Sequence, residues 1–544
     1  MAHGGKLLVD TLEALGAERV FSVPGESFLA VLDALHDSPI TNVVCRQEGG
    51  AAMMAEATGK LTGRPGLCFV TRGPGATNAS AGVHVARQDS TPMILFVGQI
   101  ARGDRDREAF QEVDLAAMFA PLAKWSAEVR ETARLGEYVA RAWDVALSGR
   151  PGPVVLSLPE DVLSAEVKGA TLPGPVRRAR ADWSGVAQEI AERLDRAERP
   201  LVVAGGPGWS ARAAGDLSAF AEARGLPVAT GFRRQDYIDN RHRCYAGDLN
   251  LGVNPKLAAR LREADALLVL GSRLGDIETQ GYELIGPGAH PGMIHVHPDA
   301  DEIGRVYRPG LGVAASAPDV LEALAALPEG PDRGAYVAQA RAEFEDWTRP
   351  RETPGTVKLE AVIRWLSDHL PEDAVVTNGA GNYAAWLHRY FRWKRFGTQL
   401  APTSGSMGYG FPAAVAASIA HPGRAVVCLA GDGCFQMTLN EMSTAVQEGA
   451  TPVVIVANNG QYGTIRLHQE RSYPARVSGT ALANPDFAAL ARAYGGHGEV
   501  VERTEDFAGA FGRAREAGTV AVIELRLDPE ALSPGATLSA VRGG

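Results

Sequence analysis

The chain has 544 residues, too many for one hydrophobic core, so two to four domains are expected. Its 45% hydrophobic and 22% charged residues exclude a disordered chain, and a net charge of −10 with a pI near 5.7 argues against nucleic-acid or anionic-membrane partners. No apolar run reaches membrane-spanning length, the start Met-Ala-His-Gly-Gly-Lys lacks an apolar signal region, and Cys45, Cys68, Cys244, Cys428 and Cys434 show no metal-ligand spacing, so a reducing cytoplasm is the expected setting.

In chain order, Val43-Val44-Cys45-Arg46-Gln47 predicts a buried strand ending near Glu48, followed by a helix over 51–61. Leu67-Cys68-Phe69-Val70-Thr71 predicts the next strand, and Gly73-Pro74-Gly75-Ala76-Thr77-Asn78 then opens a helix. Met93-Ile94-Leu95-Phe96-Val97 predicts a third strand. Strand and helix alternate, so a parallel sheet covered on both faces is expected. This block, 1–170, closes on a linker rich in Pro, Arg and Gly around 172–180. In a second block, 185–330, Leu201-Val202-Val203-Ala204 leads into Gly205-Gly206-Pro207-Gly208, and Ala266-Leu267-Leu268-Val269-Leu270 leads into Gly271-Ser272-Arg273. A second linker near 349–355 precedes a third block, 356–544. The expected fold is α/β, with three doubly wound parallel-sheet domains of which the middle one is Rossmann-like.

The third block carries the most informative residues. Val426-Val427-Cys428-Leu429-Ala430 predicts a buried strand ending at Gly431-Asp432-Gly433. A helix from about Phe435 to Gln447 should stop at Gly449. Pro452-Val453-Val454-Ile455-Val456-Ala457 predicts a second strand, ending at Asn458-Asn459. In such a βαβ unit the two strand ends lie side by side on the edge where open α/β sheets bind ligands. Asp432 and Asn459 would converge there as oxygen donors, beside glycines that let backbone amides approach an anion. One carboxylate and one amide oxygen suit Mg²⁺ held partly by a diphosphate.

Gly-Asp-Gly, a gap of roughly 25 to 30 residues and Asn-Asn resemble the motif of thiamine diphosphate enzymes, and matching pieces occur in each third of the chain. The chain resembles the thiamine-diphosphate decarboxylase superfamily, in the group containing acetolactate synthase and pyruvate oxidase. The resemblance implies, in order, a pyrimidine-binding domain, a central domain and a diphosphate- and Mg²⁺-binding domain. In Arg46-Gln47-Glu48-Gly49-Gly50-Ala51 it makes Glu48 the carboxylate that hydrogen-bonds the cofactor's pyrimidine ring and so activates it. Pro24, Gly25, Gly73 and Asn78 fall in turns expected to meet the cofactor. Phe110 and Gln111, in Phe110-Gln111-Glu112, would reach the substrate side.

In the third block, Gly405-Ser406-Met407-Gly408 resembles the segment that bends the cofactor, with Met407 as the wedge and the Gly405 carbonyl as an acceptor. Asn378-Gly379-Ala380-Gly381-Asn382 follows a strand ending at Thr377 and resembles a diphosphate-binding turn. Gly381, Asn382, Gly431, Gly433, Tyr462 and Gly463 are the further cofactor residues it implies. Its metal ligands are Asp432, Asn459 and the backbone carbonyl of Gln461. In the middle block, Gly271-Ser272-Arg273-Leu274-Gly275-Asp276 and Pro298-Asp299-Ala300-Asp301-Glu302 resemble stretches that contact FAD; the family also has members without a flavin, so FAD stays open.

The expected reaction is decarboxylation of a small 2-keto acid, with pyruvate as donor, and transfer of the acyl unit to a second carbonyl. A simple decarboxylase, a lyase on another acyl donor, or a non-catalytic subunit keeping the fold are the alternatives. Because Glu48 and Asp432 lie in different domains, the resemblance implies a homodimer or homotetramer with sites shared between subunits. The substrate side departs from the biosynthetic synthases. Glu26 follows Pro24-Gly25 where Gly is usual, a carboxylate that would repel a keto acid unless paired. Arg72 and Asn382 stand where Ser and His are common. His468 stands where a selective Trp is usual, and Arg466 could either meet an anionic substrate or pair with a neighbour.

Overall fold

The computed structural model describes residues 2–168, 172–174, 176, 179 and 181–543; the remaining positions of the expected 172–180 linker lie outside the described residues. Three six-stranded sheets, parallel throughout, follow one another along the chain. The first contains β1 (Arg19–Ser22), β2 (Thr41–Val44), β3 (Gly66–Val70), β4 (Met93–Gln99), β5 (Trp125–Glu128) and β6 (Pro153–Pro159), in the order β2-β1-β3-β4-β6-β5. The second contains β7 (Pro200–Ala204), β8 (Val228–Thr230), β9 (Tyr245–Asp248), β10 (Ala266–Leu270), β11 (Gly288–His297) and β12 (Tyr307–Ala314), in the order β9-β8-β7-β10-β11-β12. The third contains β13 (Val375–Asn378), β14 (Gln399–Leu400), β15 (Val426–Gly431), β16 (Val453–Asn458), β17 (His497–Val501) and β18 (Ala521–Arg526), in the order β14-β13-β15-β16-β18-β17. The first and third sheets thus share one topology, and the second has the strand order of dinucleotide-binding folds.

The central strands are unbroken apolar runs because helices bury both their faces: every residue of β3, β4, β7, β10 and β16 is buried. Among the described residues no helix is long and apolar enough to cross a membrane, and all five cysteines are free and buried.

Two expected boundaries move. β2 ends at Val44, and Glu48 opens the helix Glu48–Thr62 instead of closing a strand. The Gln47 side chain caps that helix by accepting from Gly50 N–H, which ends the extended run early. The helix expected over 435–447 begins at Asp432 and is broken into Asp432–Gln436, a 3-10 turn Leu439–Glu441 and Met442–Gln447. Thr438 leaves helical geometry there and its hydroxyl donates to the Gly408 carbonyl. Gly449, with φ +64, is the expected stop.

First and third sheets share one core, where the helix Glu48–Thr62 packs against both the helix Pro74–Asp89 and the helix Gly410–Ala420. A Cβ on Gly82 would stand 2.4 Å from that of Ala52, so the first two cross almost in backbone contact. A buried polar cluster joins all three blocks. Glu56 accepts from Tyr409 and Thr91 hydroxyls at 2.6 Å each, and Asp89 accepts from Lys60 Nζ at 2.5 Å and Thr403 N–H at 2.6 Å. Arg234 of the second block donates to the Asp89 carbonyl at 3.1 Å. This cluster fixes the loop that carries Gly405 and Met407.

Candidate functional site

In the third sheet the strand order reverses between β13 and β15, and their two C-terminal loops face each other across a crevice. It opens into a cavity of about 600 Å³, within the size range of small-molecule sites. Every site residue expected from the third block lines it. The loop after β13 supplies Gly381 and Asn382, and the loop after β15 supplies Gly431, Asp432 and Gly433. Gly405 and Met407 line another wall, and the loop after β16 supplies Asn459, Gln461, Tyr462 and Gly463.

Asp432 is the anionic centre of this wall. Its Oδ1 accepts from Gly433 N–H at 2.8 Å, and its Oδ2 accepts from Gly460 N–H at 2.9 Å and Asn484 Nδ2 at 2.7 Å. Burial pushes its carboxyl above the usual range while these hydrogen bonds pull it back. Asn459 Oδ1 accepts from Gln461 N–H at 3.3 Å, which ties two oxygen-bearing residues into one turn. Among the described residues no group of three or more His, Cys, Asp or Glu side chains is placed to hold a metal. A cation here would take one carboxylate, amide and carbonyl oxygens, and oxygens of a bound diphosphate, a set that fits Mg²⁺. Glycine is required on this wall: a Cβ on Gly431 would stand 2.8 Å from the Tyr383 ring, and one on Gly381 would stand 2.6 Å from it.

The site residues expected from the first block do not reach this cavity, to which that block's described residues contribute only His84 and Gln88. The expected ones form a second cluster where the first sheet's order reverses, between β1 and β3. Glu48 Oε2 accepts from Asn78 Nδ2 at 2.9 Å, and a Cβ on Gly75 would lie 3.3 Å from Glu48 Oε1. A Cβ on Gly25, beside Pro24, would meet Thr71 at 2.6 Å. Gly73, with φ +48, lies so close to Gln111 that a Cβ would stand 2.9 Å from its carbonyl oxygen. Gln111 is itself left-handed, φ +65, and Phe110 beside it is 72% exposed.

Arg72 organises this cluster. Its guanidinium reaches Glu26 at 3.1 Å, Glu160 at 3.3 Å and the Phe110 carbonyl at 3.2 Å. Glu26 is therefore paired, and one cation is shared by two carboxylates. Arg466 is also engaged, with Glu470 at 2.8 Å, and Glu470 in turn takes Arg542 at 2.8 Å, so the ion-paired reading of Arg466 is the one observed.

Several participants escaped the sequence reading. Asn484 reaches Asp432 from 52 residues downstream and also donates to Asn458 Oδ1 at 2.8 Å, with no local motif to mark it. Tyr383 donates to Cys434 Sγ at 3.2 Å and forms the floor under two glycines. Arg233 of the second block lines the cavity as a buried guanidinium, lowered to about 10 by burial. Glu441, fully buried, accepts from Gln47 N–H at 3.0 Å and Arg46 N–H at 3.2 Å, gripping the turn that presents Glu48.

Comparison with known proteins matches all three parts in chain order. Residues 2–118 match the thiamine pyrophosphate enzyme N-terminal TPP binding domain, 187–324 the central domain and 379–525 the C-terminal TPP binding domain. The acetolactate synthase isozyme 2 large subunit of Escherichia coli is 31% identical over 516 residues, covering 94% of this chain and 92% of that protein. The acetolactate synthase of Mycobacterium bovis is 32% identical over 541 residues, with 96% and 87% covered. The acetolactate synthase large subunit of Parasynechococcus marenigrum is 30% identical over 543 residues, with the same coverage. With near full-length similarity on both sides, the chain belongs to the thiamine pyrophosphate enzymes, in the group of the acetolactate synthase large subunits.

Proposed function

We propose that the protein decarboxylates a 2-keto acid, with pyruvate as donor, and transfers the acyl unit to a second carbonyl compound; its relatives carry the name acetolactate synthase, which supports this reading. The observation that carries this reading is the third-sheet crevice, where one buried carboxylate, Asp432, stands among glycine backbones and amide oxygens. When bound, thiamine diphosphate supplies a carbon nucleophile and an electron sink. In this reading the loops at Gly381–Asn382 and Gly431–Gly433 bed the diphosphate. Asp432, Asn459 and the Gln461 carbonyl are the residues that would hold Mg²⁺. Met407 would support the cofactor and the Gly405 carbonyl would accept a hydrogen bond from it. Glu48 holds a proton toward the pyrimidine ring, and Phe110 with Gln111 closes the substrate side.

The chain divides in this account into 1–170 for pyrimidine binding, 185–330 as the central domain and 356–544 for diphosphate and metal. Two copies complete each site, since Glu48 lies outside the cavity that holds Asp432. Five free, buried cysteines suit a cytoplasmic setting. The test is turnover of pyruvate with added thiamine diphosphate and Mg²⁺, read as CO₂ and as acetoin after acid treatment. Both should appear. CO₂ without acetoin would replace carboligation by simple decarboxylation, and no CO₂ from a panel of keto acids would favour another donor or a non-catalytic subunit.

A further inference from the structure

The second sheet has the strand order of dinucleotide-binding folds, and its order reverses between β7 and β10. A dinucleotide's diphosphate would enter there, between the loop Gly205-Gly206-Pro207-Gly208 and the loop Gly271-Ser272-Arg273. Those two loops are in backbone contact. Gly206, with φ +69, lies where a Cβ would stand 1.7 Å from the Gly271 carbonyl oxygen, and a Cβ on Gly205 would stand 2.9 Å from that of Ser272. Two aromatic residues lock the first loop down: Trp209 Nε1 donates to the Gly205 carbonyl at 2.8 Å and Tyr237 Oη to the Gly206 carbonyl at 2.6 Å, with the rings stacked 4.7 Å apart.

Three donors at this edge are taken by a carboxylate of the chain itself. Glu278 Oε1 accepts from Phe232 N–H at 3.1 Å, at the end of β8. Its Oε2 accepts from the Ser272 hydroxyl at 2.6 Å and Gly275 N–H at 3.1 Å. A Cβ on Gly231 would lie 2.2 Å from Glu278 Oε1, so the carboxylate rests directly on the backbone. The pocket between the two loops is about 100 Å³, short of the roughly 300 Å³ at the small end of ligand sites, and it adjoins the Asp432 cavity at Gln88, Phe232, Asp276, Ile277 and Thr403, which line both. The other stretch resembling a flavin contact is also committed: Glu302 pairs with Arg150 of the first block at 2.8 Å, both side chains nearly buried.

We infer that Glu278 occupies the anion position of the central domain's nucleotide crevice, and that this protein works without FAD or any other dinucleotide. A bound diphosphate would meet the Glu278 carboxylate at the point where the fold offers hydrogen-bond donors, and a loop pair with no gap between its backbones. The residues present therefore do not fit the flavin that Gly271–Asp276 suggested. The inference does not depend on which carbonyl compounds the enzyme joins.

The purified full-length protein, reconstituted with thiamine diphosphate and Mg²⁺, tests it. No flavin absorbance should accompany the protein. Equilibrium dialysis against FAD should leave none bound, and added FAD should not move the melting temperature. Near-stoichiometric flavin, or a melting temperature that rises with FAD, would overturn the inference. Glu278→Ala tests the cause, with ADP as probe and Glu278→Gln as the control that keeps the crevice filled. Glu278→Ala should bind ADP at least about tenfold more tightly than wild type, since removal of the carboxylate frees charge-assisting donors. An unchanged ADP affinity in a folded Glu278→Ala protein would show that Glu278 is not what closes the crevice.

Discussion

At the residue scale the account rests on two carboxylates in opposite surroundings. Glu48 is half-buried, opens a helix and is steadied by Asn78; Asp432 is buried and bound by three donors. Glu48→Gln keeps the shape and the Asn78 contact but removes the ionisable group, so turnover should fall by roughly 10²-fold or more while the melting temperature stays near wild type. Measured turnover close to wild type would remove Glu48 from the activating role. Asp432→Ala takes away the one anionic side chain among the proposed metal ligands, so the rise in melting temperature on adding thiamine diphosphate and Mg²⁺ should vanish. A rise of normal size would place the metal elsewhere. Both residues were legible in the sequence because each stands at a predicted strand end within a short motif. Asn484, which fixes Asp432, was not, because a side chain arriving from another element leaves no spacing to read.

At the element scale, the break in the helix after Asp432 has a consequence. A continuous helix over 435–447 was expected from the apolar pattern, which reports which residues are buried but not where a backbone hydrogen bond is given up to a neighbouring loop. The Thr438 hydroxyl donates to the Gly408 carbonyl, and the turn after it delivers Glu441 to the N–H groups of Arg46 and Gln47. Burial pushes the Glu441 carboxyl up, and its hydrogen bonds from the Thr444 hydroxyl and the Arg46 and Gln47 N–H groups pull it back. Glu441→Ala leaves those donors unpaired, at a cost on the order of 1–3 kcal/mol. The melting temperature should drop, and kcat should fall further than cofactor affinity does because the Glu48 turn loosens. Glu441→Gln, whose amide oxygen can still accept, should recover most of both. Full kcat in Glu441→Ala would show that this contact does not orient Glu48.

At the scale of the whole molecule, the three parallel sheets were legible because buried strands between helices write themselves as apolar runs closed by glycine. The Rossmann-like order of the second sheet was legible from its glycine-closed strands; the order shared by the first and third sheets was not, since no residue pattern in them marks which strands pair. The two halves of the proposed site lie apart within one chain: the Asp432 cavity takes its lining from the second and third blocks and the helix Pro74–Asp89, and Glu48 is not part of it. Large apolar side chains near these elements stand exposed, Phe110 and Met437 among them, as an interface would leave them in a single copy. The account therefore requires a symmetric pair in which Glu48 of one subunit serves the Asp432 site of the other. The most direct measurement mixes the two inactive variants, Glu48→Gln and Asp432→Ala, under conditions where subunit exchange is followed by mass. Mixed dimers hold one site with both carboxylates intact, so activity should return to roughly a quarter of wild type at random exchange. Complete exchange with no activity above that of the separate variants would contradict a site shared between subunits.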